Sequence, residues 1–543
     1  MLPRTRWLYL GLGLALRLFL LGWGAYQDRH ASLAYTDIDY AVYNDGARAL
    51  WTACPLSSTV YSDNYEDEED LFNKPELAAH VHCARGIVPA VSRFVLQYDP
   101  GNAEAEDRQL VDRDSLWSWP LTLSFYMTRP LFRFFASLGD PFARETYRYT
   151  PFLALLMGPA HSFDTLWPWC GKLLFVLADV GCALLMWAIL DERILMHAFE
   201  APGLRTSLST HLPGILWLLN PFPAQIATRG SADSLIGVLV LGTLYLLICA
   251  TPEMSLVHTP TPPKEKAAKH DPRELRVANS NAWYGAAFLL ALAVHFKLFP
   301  IIYGASILAH LINYRRHAIM LLCGIEKPRQ SDVLVLGLEF TALAAIMYIL
   351  LNTFAWAVWG QPYIRHALLY HLARLDHRHN FSIYFLPTYL SMTTDSTSSW
   401  WAWIAPWTSF LPQLVTVALS GFWLGGFDVV LACMVQTIVF VAWNKVYTSQ
   451  YFLWYLWFVP IVGVTMHVRS TWHVATLLAL WVAAQAVWLS QAYRLEFLAK
   501  DTFVYLWLSS LALLFVHVCG ATYIVQAWSD WRARQSIAVE KSQ

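Results

Sequence analysis

Charged residues are scarce in this sequence, and their scarcity excludes an ordinary soluble domain. Only 14% of the 543 residues are Asp, Glu, Lys or Arg, whereas soluble domains carry about 25%. A formal net charge of −1 leaves no basic excess for binding nucleic acid. The eight cysteines include no CxxC pair and no zinc-type spacing. The sequence therefore indicates neither a nucleic-acid-binding protein nor a cysteine-based metal site.

Apolar residues make up 56% of the chain, and apolar runs recur along its whole length. Many approach the roughly 20 residues that a helix needs to cross a bilayer. The first run, 7–26, follows Arg4 and Arg6 as a secretory signal would. It also holds Arg17 and lacks a small-residue cleavage pattern. We therefore expect an uncleaved signal anchor and one polytopic all-α membrane domain over residues 1–543.

The apolar runs predict about twelve transmembrane helices. They are 7–26, 170–190, 211–228, 234–251, 282–298, 299–314, 331–351, 399–421, 424–443, 450–467, 472–492 and 503–527, of which two are short enough to be re-entrant. Lys and Arg concentrate in 252–281, in 315–330 and in the tail after the last span, which predicts a cytosolic position for these segments and for both termini. The opposite, lumenal side then holds 27–169, 229–233, 298–300, 352–398 and 444–450.

The first lumenal loop, 27–169, is long and acidic. Within it, residues 115–139 are apolar but interrupted by prolines and arginines, so we expect an interfacial helix pair there rather than a span. Cys54 and Cys83 both lie in this loop. An oxidising lumen favours a disulfide between them, and two free thiols are the alternative.

Three carboxylates, Asp37, Asp39 and Asp45, follow the first span closely. Their simplest explanation is loop solubility together with helix capping, with Asp39 as the N-cap of a helix that begins at Tyr40. The functional explanation is general-base chemistry, in which one carboxylate takes a proton from a hydroxyl group. Taken alone, the motif does not decide between the two.

Cations also gather at the lumenal ends of the predicted spans. Separately, Lys297 is explained by a side chain that snorkels from a helix end, and Arg148 by a charge at the membrane surface. Ionisable groups at the membrane are costly, however, and usually have a partner. Together with Lys445 and the segment 374–379, these cations can neutralise a phosphate. Carboxylates beside them are typical of chemistry on a lipid-linked phosphate ester.

Several of these stretches, taken in order, resemble the PIG-M family of glycosylphosphatidylinositol (GPI) mannosyltransferases. They are YTDIDYAVYNDGAR (35–48), TYRYTPFLALL (146–156), HFKLFP (295–300), HRHNFSIYF (377–385) and KVYTSQYFLWY (445–455). GKLLFVLAD (171–179) and NPFPAQIATRGSADS (220–234) are similar to further family segments. The chain departs from the family pattern at 56–143, an insertion where the family has a short link.

The resemblance implies a fold-C glycosyltransferase (GT-C fold) of the endoplasmic reticulum membrane, with its active site in the first lumenal loop. Its donor would be dolichol-phosphate-mannose, and its acceptor glucosaminyl-(acyl)phosphatidylinositol. The product would carry the first mannose in an α-1,4 linkage, with inversion of the anomeric centre. A small single-span subunit would stabilise the enzyme.

Such a reaction needs one base and a few cations, because dolichyl phosphate leaves as a stabilised anion. We expect Asp39 to be the base, with Asp37 as the second candidate. The other candidate substrate-binding residues are Asp45, Arg48, Tyr147, Arg148, Tyr149, His295, Lys297, His377, Arg378, His379, Asn380, Lys445 and Gln450. A cation from Lys or Arg suffices for a monophosphate, so we expect no metal and no cofactor.

Three alternatives remain open at the level of the sequence. The first is another dolichol-phosphate-sugar transferase. The second is a transporter, although transporters place ionisable groups near the midplane and between inverted repeats. The third is an inactive scaffold. Finally, Asn380-Phe381-Ser382 fits a glycosylation sequon, yet its aromatic surroundings predict an unglycosylated residue that serves the active site.

Overall fold

The computed structural model describes residues 3–51, 54, 83–97, 118–158, 167–196, 202–252, 271–272, 275–373, 380–393 and 410–542. This part of the chain is helical, apart from turns and one antiparallel bridge between Cys83 and Gly139. The main helices in its first half are α1 (Arg4–His30), α2 (Ile38–Trp51), α3 (Ile87–Gln97), α4 (Ser118–Ser137), α5 (Pro151–Met157), α6 (Trp167–Met196), α7 (Pro202–Pro213), α8 (Pro221–Arg229) and α9 (Asp233–Ala250). Those in the second half are α10 (Ser280–Phe296), α11 (Gly304–Cys323), α12 (Gln330–Trp359), α13 (Phe385–Thr393), α14 (Phe410–Gly425), α15 (Val429–Ala442), α16 (Thr471–Glu496) and α17 (Phe503–Ser542). The expected all-α fold is confirmed.

Among the helices that the structure describes, six are long and apolar enough to cross a membrane. They are Arg4–His30, Trp169–Arg193, Asp233–Ala250, Gln330–Trp359, Thr471–Glu496 and Phe503–Ile537. Each of these helices coincides with a predicted span. The remaining predicted spans correspond to shorter helices, such as α10 and α15, or to interrupted ones.

Two predicted spans are interrupted by proline. In 211–228, helix α7 passes into a π turn, Gly214–Leu218, and the chain restarts at α8, whose first residue is Pro221. In 450–467, the structure has a series of short turns around Phe452–Leu456 and Val459–Val462. Proline has no backbone N–H and its ring clashes with the preceding turn, so it suits the first turn of a new helix.

Ion pairs and hydrogen bonds between neighbouring helices distinguish the two ends of the bundle. One end holds the pairs Arg6–Asp191, Arg193–Asp428 and Arg469–Asp530. The other end holds Arg229–Asp37, Lys297–Asp233 and the hydrogen bond from Asn380 to Lys445. The carboxylate and cation motifs of the sequence therefore meet at one end of the bundle, which we call the site end.

The helix pair expected in 115–139 is wrong, because the structure has one helix there, Ser118–Ser137, with Pro130 inside it. Pro120 lies in the first turn, where its missing N–H has no intrahelical partner to lose. Pro130 removes one hydrogen bond from a helix that packs along α3. Tertiary contact therefore outweighs the local preference for a break.

The predicted disulfide between Cys54 and Cys83 is confirmed, with the two Cα atoms 5.6 Å apart. It follows α2 directly, so it ties the insertion to the end of that helix. The side chain of Arg93 runs beside it and donates hydrogen bonds to the carbonyl oxygens of Ala84 and Ala136 at 3.1 and 3.2 Å. The described ends of the insertion are thus fastened to the helix that carries the acidic motif.

Arg17 of the first span has a buried partner. Its Nε donates to Asp179 Oδ2 at 2.6 Å, and both side chains have 0% exposure. Ser234 donates to the other carboxylate oxygen at 2.8 Å. A buried charge in a membrane helix requires such pairing. The pair links α1 and α6 to the second residue of α9, immediately after Asp233.

Candidate active site

The acidic motif opens helix α2 at the site end. The helix begins at Ile38, and the Asp37 carboxylate accepts the backbone N–H of Asp39 at 3.1 Å. Asp37 is therefore the capping residue, and the assignment of that role to Asp39 is wrong by two positions. Asp37 Oδ2 also lies 3.7 Å from the Arg229 guanidinium. Because Asp37 performs the capping, the Asp39 side chain is available for another task.

Asp39 is partly buried and accepts a hydrogen bond from Tyr149. Burial raises the pKa of the Asp39 carboxyl above its ordinary value, and the nearby charge of Asp37 raises it further. The Lys297 ammonium and the Tyr149 hydroxyl act in the opposite direction. A carboxylate with a raised pKa is a better proton acceptor near neutral pH than an exposed one. This environment suits a general base.

Lys297 is held beside Asp39 by a carboxylate that the sequence analysis did not select. Its Nζ lies 2.6 Å from Asp233 Oδ1, with side-chain exposures of 29% for Lys297 and 1% for Asp233. The same oxygen accepts the indole N–H of Trp454 at 2.9 Å, and the Ser231 hydroxyl donates to Oδ2 at 2.9 Å. Asp233 is thus bonded on both oxygens and fixes the ammonium in place.

Aromatic rings complete the surroundings of Lys297. The ammonium lies 4.8 Å from the ring centre of Trp454 and 5.5 Å from that of Tyr451. Phe299 stacks on Trp454 with ring centres 3.9 Å apart. The motifs HFKLFP and KVYTSQYFLWY, far apart in sequence, therefore form one wall of the site, and cation–π contacts orient the cation.

The TYRYTP motif contributes alternate residues to opposite sides. Tyr147 has 0% exposure, and its hydroxyl donates to the carbonyl of Thr150 at 2.8 Å. It packs on Gly46, where even a Cβ atom would come within 2.4 Å of the ring. Its ring is thus part of the core and is not available to stack on a sugar in this structure. Tyr149, by contrast, reaches the carboxylate of Asp39.

His295 is buried and supports the TYRYTP motif from behind. Its Nε2 lies 2.8 Å from the hydroxyl of Thr150, and its ring packs on Phe152 at 4.5 Å between centres. Thr150 in turn caps α5 by accepting the N–H of Phe152. His295, two residues before Lys297, therefore helps to position the TYRYTP motif through its contacts with Thr150 and Phe152.

Three other candidates lie at the periphery of the acidic helix and of the aromatic wall. Asp45 lies 3.4 Å from Arg144, and both side chains are about half exposed. Arg48 is exposed one helical turn further along α2, and Gln450 is partly buried in the turn Ser449–Tyr451. The contacts described above for Asp233 and Lys297 are made by other residues.

Asn380 joins two loops through hydrogen bonds to the backbone, including the carbonyl of Lys445. The Asn380 amide donates to the carbonyl of Lys445 at 3.0 Å, and its oxygen accepts the N–H groups of Ser382 and Tyr447 at 3.0 and 3.1 Å. Asn380 is 1% exposed. Its amide is thus engaged by backbone, as in a loop-capping role, while its burial agrees with the prediction that it carries no glycan. The Lys445 ammonium is also buried, 5.7 Å from the ring centre of Phe410. His377, Arg378 and His379 lie outside the described residues.

Asp233 and Arg229 are the site residues that the sequence analysis missed. Both belong to NPFPAQIATRGSADS, which stood out only as a family-like segment. The available signal was that Asp233 lies in the first turn of an apolar helix. An aspartate at that position is also explained by a favourable interaction with the helix dipole. Only the contact of Asp233 with Lys297, 64 residues away, favours a role in the site over this ordinary explanation.

Fold and site together define a multi-span α-helical membrane protein, with a partly buried carboxylate and an oriented cation at the same end of the bundle. Comparison with known families specifies the class further: the model described as Mannosyltransferase (PIG-M) matches residues 226–525. The chain belongs to this family of membrane glycosyltransferases, as its motifs indicated.

Curated relatives cover most of the chain. It is 30% identical to GPI mannosyltransferase 1 of Gibberella zeae over 93% of this chain and 90% of that protein. It is 32% identical to the catalytic subunit of GPI alpha-1,4-mannosyltransferase I of Danio rerio over 73% of this chain and 86% of that protein. It is 32% identical to GPI mannosyltransferase 1 of Saccharomyces cerevisiae over 67% of this chain and 77% of that protein.

Proposed function

We propose that this protein is a GPI mannosyltransferase that adds the first mannose, in α-1,4 linkage, to glucosaminyl-(acyl)phosphatidylinositol. The donor in this proposal is dolichol-phosphate-mannose. Family membership supports the reaction type, and the names of the relatives support the GPI substrate and the linkage. The observation that carries the proposal is a partly buried Asp39 whose raised pKa is partly lowered by the nearby ammonium of Lys297, a cation that Asp233 orients at the site end.

In the proposed reaction, Asp39 takes the proton from the acceptor 4-hydroxyl as its oxygen attacks the anomeric carbon of mannose. A carbon–oxygen bond forms to the acceptor while the bond to the dolichyl phosphate oxygen breaks, and the electron pair leaves with the phosphate. Attack opposite the leaving group converts a β-linked donor into an α-linked product. The Tyr149 hydrogen bond keeps the Asp39 carboxylate oriented towards the hydroxyl.

Lys297 is the group suited to the departing phosphate. Its side chain is 29% exposed, and Asp233 and the rings of Trp454 and Tyr451 contact its ammonium. Cations placed where charge develops stabilise the transition state without reorganisation. Because the leaving group is already a stable anion, the reaction as proposed needs neither a general acid nor a metal ion.

The division of the bundle into two ends also supports the location that we propose. The end opposite the site carries Arg6 and the Arg-rich tail, a pattern typical of the cytosolic side. The site end then faces the lumen of the endoplasmic reticulum, which also suits the Cys54–Cys83 disulfide. The Danio rerio relative is named as a catalytic subunit, which supports a further subunit for this chain, and we propose that this subunit is small and stabilises the enzyme.

The direct test is mannosyl transfer by the full-length protein in proteoliposomes. Wild-type protein should convert glucosaminyl-phosphatidylinositol to its mannosylated form with dolichol-phosphate-mannose, and Asp39→Asn should be folded but inactive. Asp45→Asn serves as the matched carboxylate change on the same helix and should be milder. Transfer to an N-glycan precursor instead of the inositol lipid would favour another dolichol-dependent transferase.

A further inference from the structure

A second cationic group is connected to the acidic helix through Tyr149, the neighbour of Arg148 in the chain, but uses different residues. The Arg148 guanidinium contacts the Nδ1 atom of His366 and lies 4.3 Å from the ring centre of Tyr370. The backbone of Arg148 is fixed as well, because His371 Nε2 donates to its carbonyl at 2.9 Å. This group brings the TYRYTP motif together with the segment 364–371.

The charge of this group is not balanced within the part of the chain that the structure describes. No carboxylate among those residues pairs with Arg148 or His366, whereas Lys297, Arg229 and Arg144 each have an aspartate partner. Both side chains are partly exposed. An oriented, partly desolvated cation without a counter-charge is the arrangement that proteins use to bind phosphate.

The hydrogen-bond chemistry also points to an anion. Arginine only donates, so the Nδ1 atom of His366 must accept from it, and the ring proton then sits on Nε2. The His366 ring is held flat against Phe142, with ring centres 5.8 Å apart. The pair therefore offers the remaining guanidinium N–H groups and one imidazole N–H as donors.

We propose that Arg148 and His366 bind the phosphodiester of the inositol-lipid acceptor, at a site separate from the donor-phosphate site at Lys297. This inference rests on the proposed function. The donor phosphate is attached directly to the reacting carbon, so it must bind close to the base. Lys297 is close enough to Asp39 for its charge to lower the pKa of that carboxyl. The acceptor phosphodiester is separated from the attacking hydroxyl by a hexosamine and an inositol ring, so it must bind farther away.

The position of Arg148 in the chain matches that requirement. Its neighbour Tyr149 donates to Asp39, while the guanidinium of Arg148 is directed to Tyr370 and His366. Tyr149 therefore contacts the base, and the residue before it, Arg148, belongs to the proposed phosphodiester site. An acceptor bound at both points would have its position relative to the base set by the protein.

The test compares two acceptors in steady-state assays of full-length enzyme in proteoliposomes. One is glucosaminyl-phosphatidylinositol, and the other is a glucosaminyl-inositol joined to an alkyl chain by an uncharged linker. For Arg148→Gln and His366→Gln we expect the KM for the phosphodiester acceptor to rise about 10- to 100-fold for the arginine change and less for the histidine change. With the uncharged acceptor, each variant should match wild type within about threefold, and the KM for the donor should not change.

Arg365→Gln is the matched control, because it removes the same charge from an exposed side chain next to His366. Arg148→Lys, which keeps the charge but not the planar fork, should give an intermediate KM and guards against a folding defect. Equal losses with both acceptors would show a structural role and overturn the site. A raised KM for the donor would assign the phosphate to the donor instead. A wild-type protein that mannosylates neither acceptor would overturn the proposed function itself.

Discussion

Replacement of Asp233 provides the sharpest test of how the site is built, because this buried carboxylate accepts hydrogen bonds from Lys297, Trp454 and Ser231. In Asp233→Asn the amide oxygen can still face Lys297 and Trp454, and the amide nitrogen can face Ser231. The hydrogen bonds persist, but the charge is lost. Hydrogen bonds to charged groups contribute about 1.5–3 kcal/mol and neutral ones about 0.5–1.5 kcal/mol. The difference predicts that Asp233→Asn lowers the free energy of unfolding by about 1–2 kcal/mol.

Asp233→Leu removes the acceptor altogether and leaves Lys297, whose side chain is only 29% exposed, without its ion-pair partner. Breaking a buried ion pair from one side costs about 3–5 kcal/mol. In the double variant Asp233→Leu with Lys297→Met, the uncompensated charge is gone as well. We therefore expect the double variant to be more stable than Asp233→Leu alone, with a coupling of about 1–3 kcal/mol between the two positions.

The measurement combines thermal unfolding of detergent-purified protein with kcat for mannosyl transfer. Asp233→Asn should lower kcat about 5- to 30-fold, the factor that corresponds to 1–2 kcal/mol, while Lys297→Met should lower it at least about 100-fold. Wild-type stability and kcat in Asp233→Asn would refute the idea that Asp233 orients the cation. Additive losses in the double variant would refute the coupling.

Three further predictions concern the base, the disulfide and the sequon. Because the base must be ionised and burial raises the pKa of Asp39, kcat/KM should fall as the pH drops through a value above 3.8. In Tyr149→Phe the hydrogen bond that lowers this pKa is absent, so the acid limb should move to higher pH; an unchanged limb in the pH–rate profile would contradict the assignment. Replacing Cys54 and Cys83 by serine should destabilise the protein by roughly 3 kcal/mol in the chain-entropy model, seen as a lower melting temperature that matches that of reduced wild type. Asn380→Gln should show no mobility shift with endoglycosidase but a lower melting temperature, because its amide brackets two loops; a shift in wild type that the variant loses would show a glycan.

The local features of the site were largely accessible from the sequence. Asp39, Tyr149 and Lys297 were all selected in advance, since ionisable and aromatic residues at the ends of apolar runs are unusual in a membrane chain. The Cys54–Cys83 pair was accessible for a similar reason, because both residues fall in one polar loop. Asp233 was not, because an aspartate in the first turn of a helix has an ordinary local explanation.

Sequence by itself thus determined the class of this protein, because apolar runs of this length and number, with only 14% charged residues, do not suit a soluble domain, and the ordered motifs resemble one family. It also predicted that the carboxylate and cation motifs lie on one side of the membrane, and in the structure Asp37, Asp39 and Lys297 meet at one end of the bundle. Only the tertiary structure decided which residues act together. Tyr147 and Tyr149 are two positions apart, yet one is fully buried against Gly46 and the other reaches the base. Likewise, Asp233 pairs with Lys297, and Arg148 contacts His366 at a sequence distance of 218 residues. Such pairings depend on how helices pack, and packing is a property of all the contacts in the bundle rather than of any one segment.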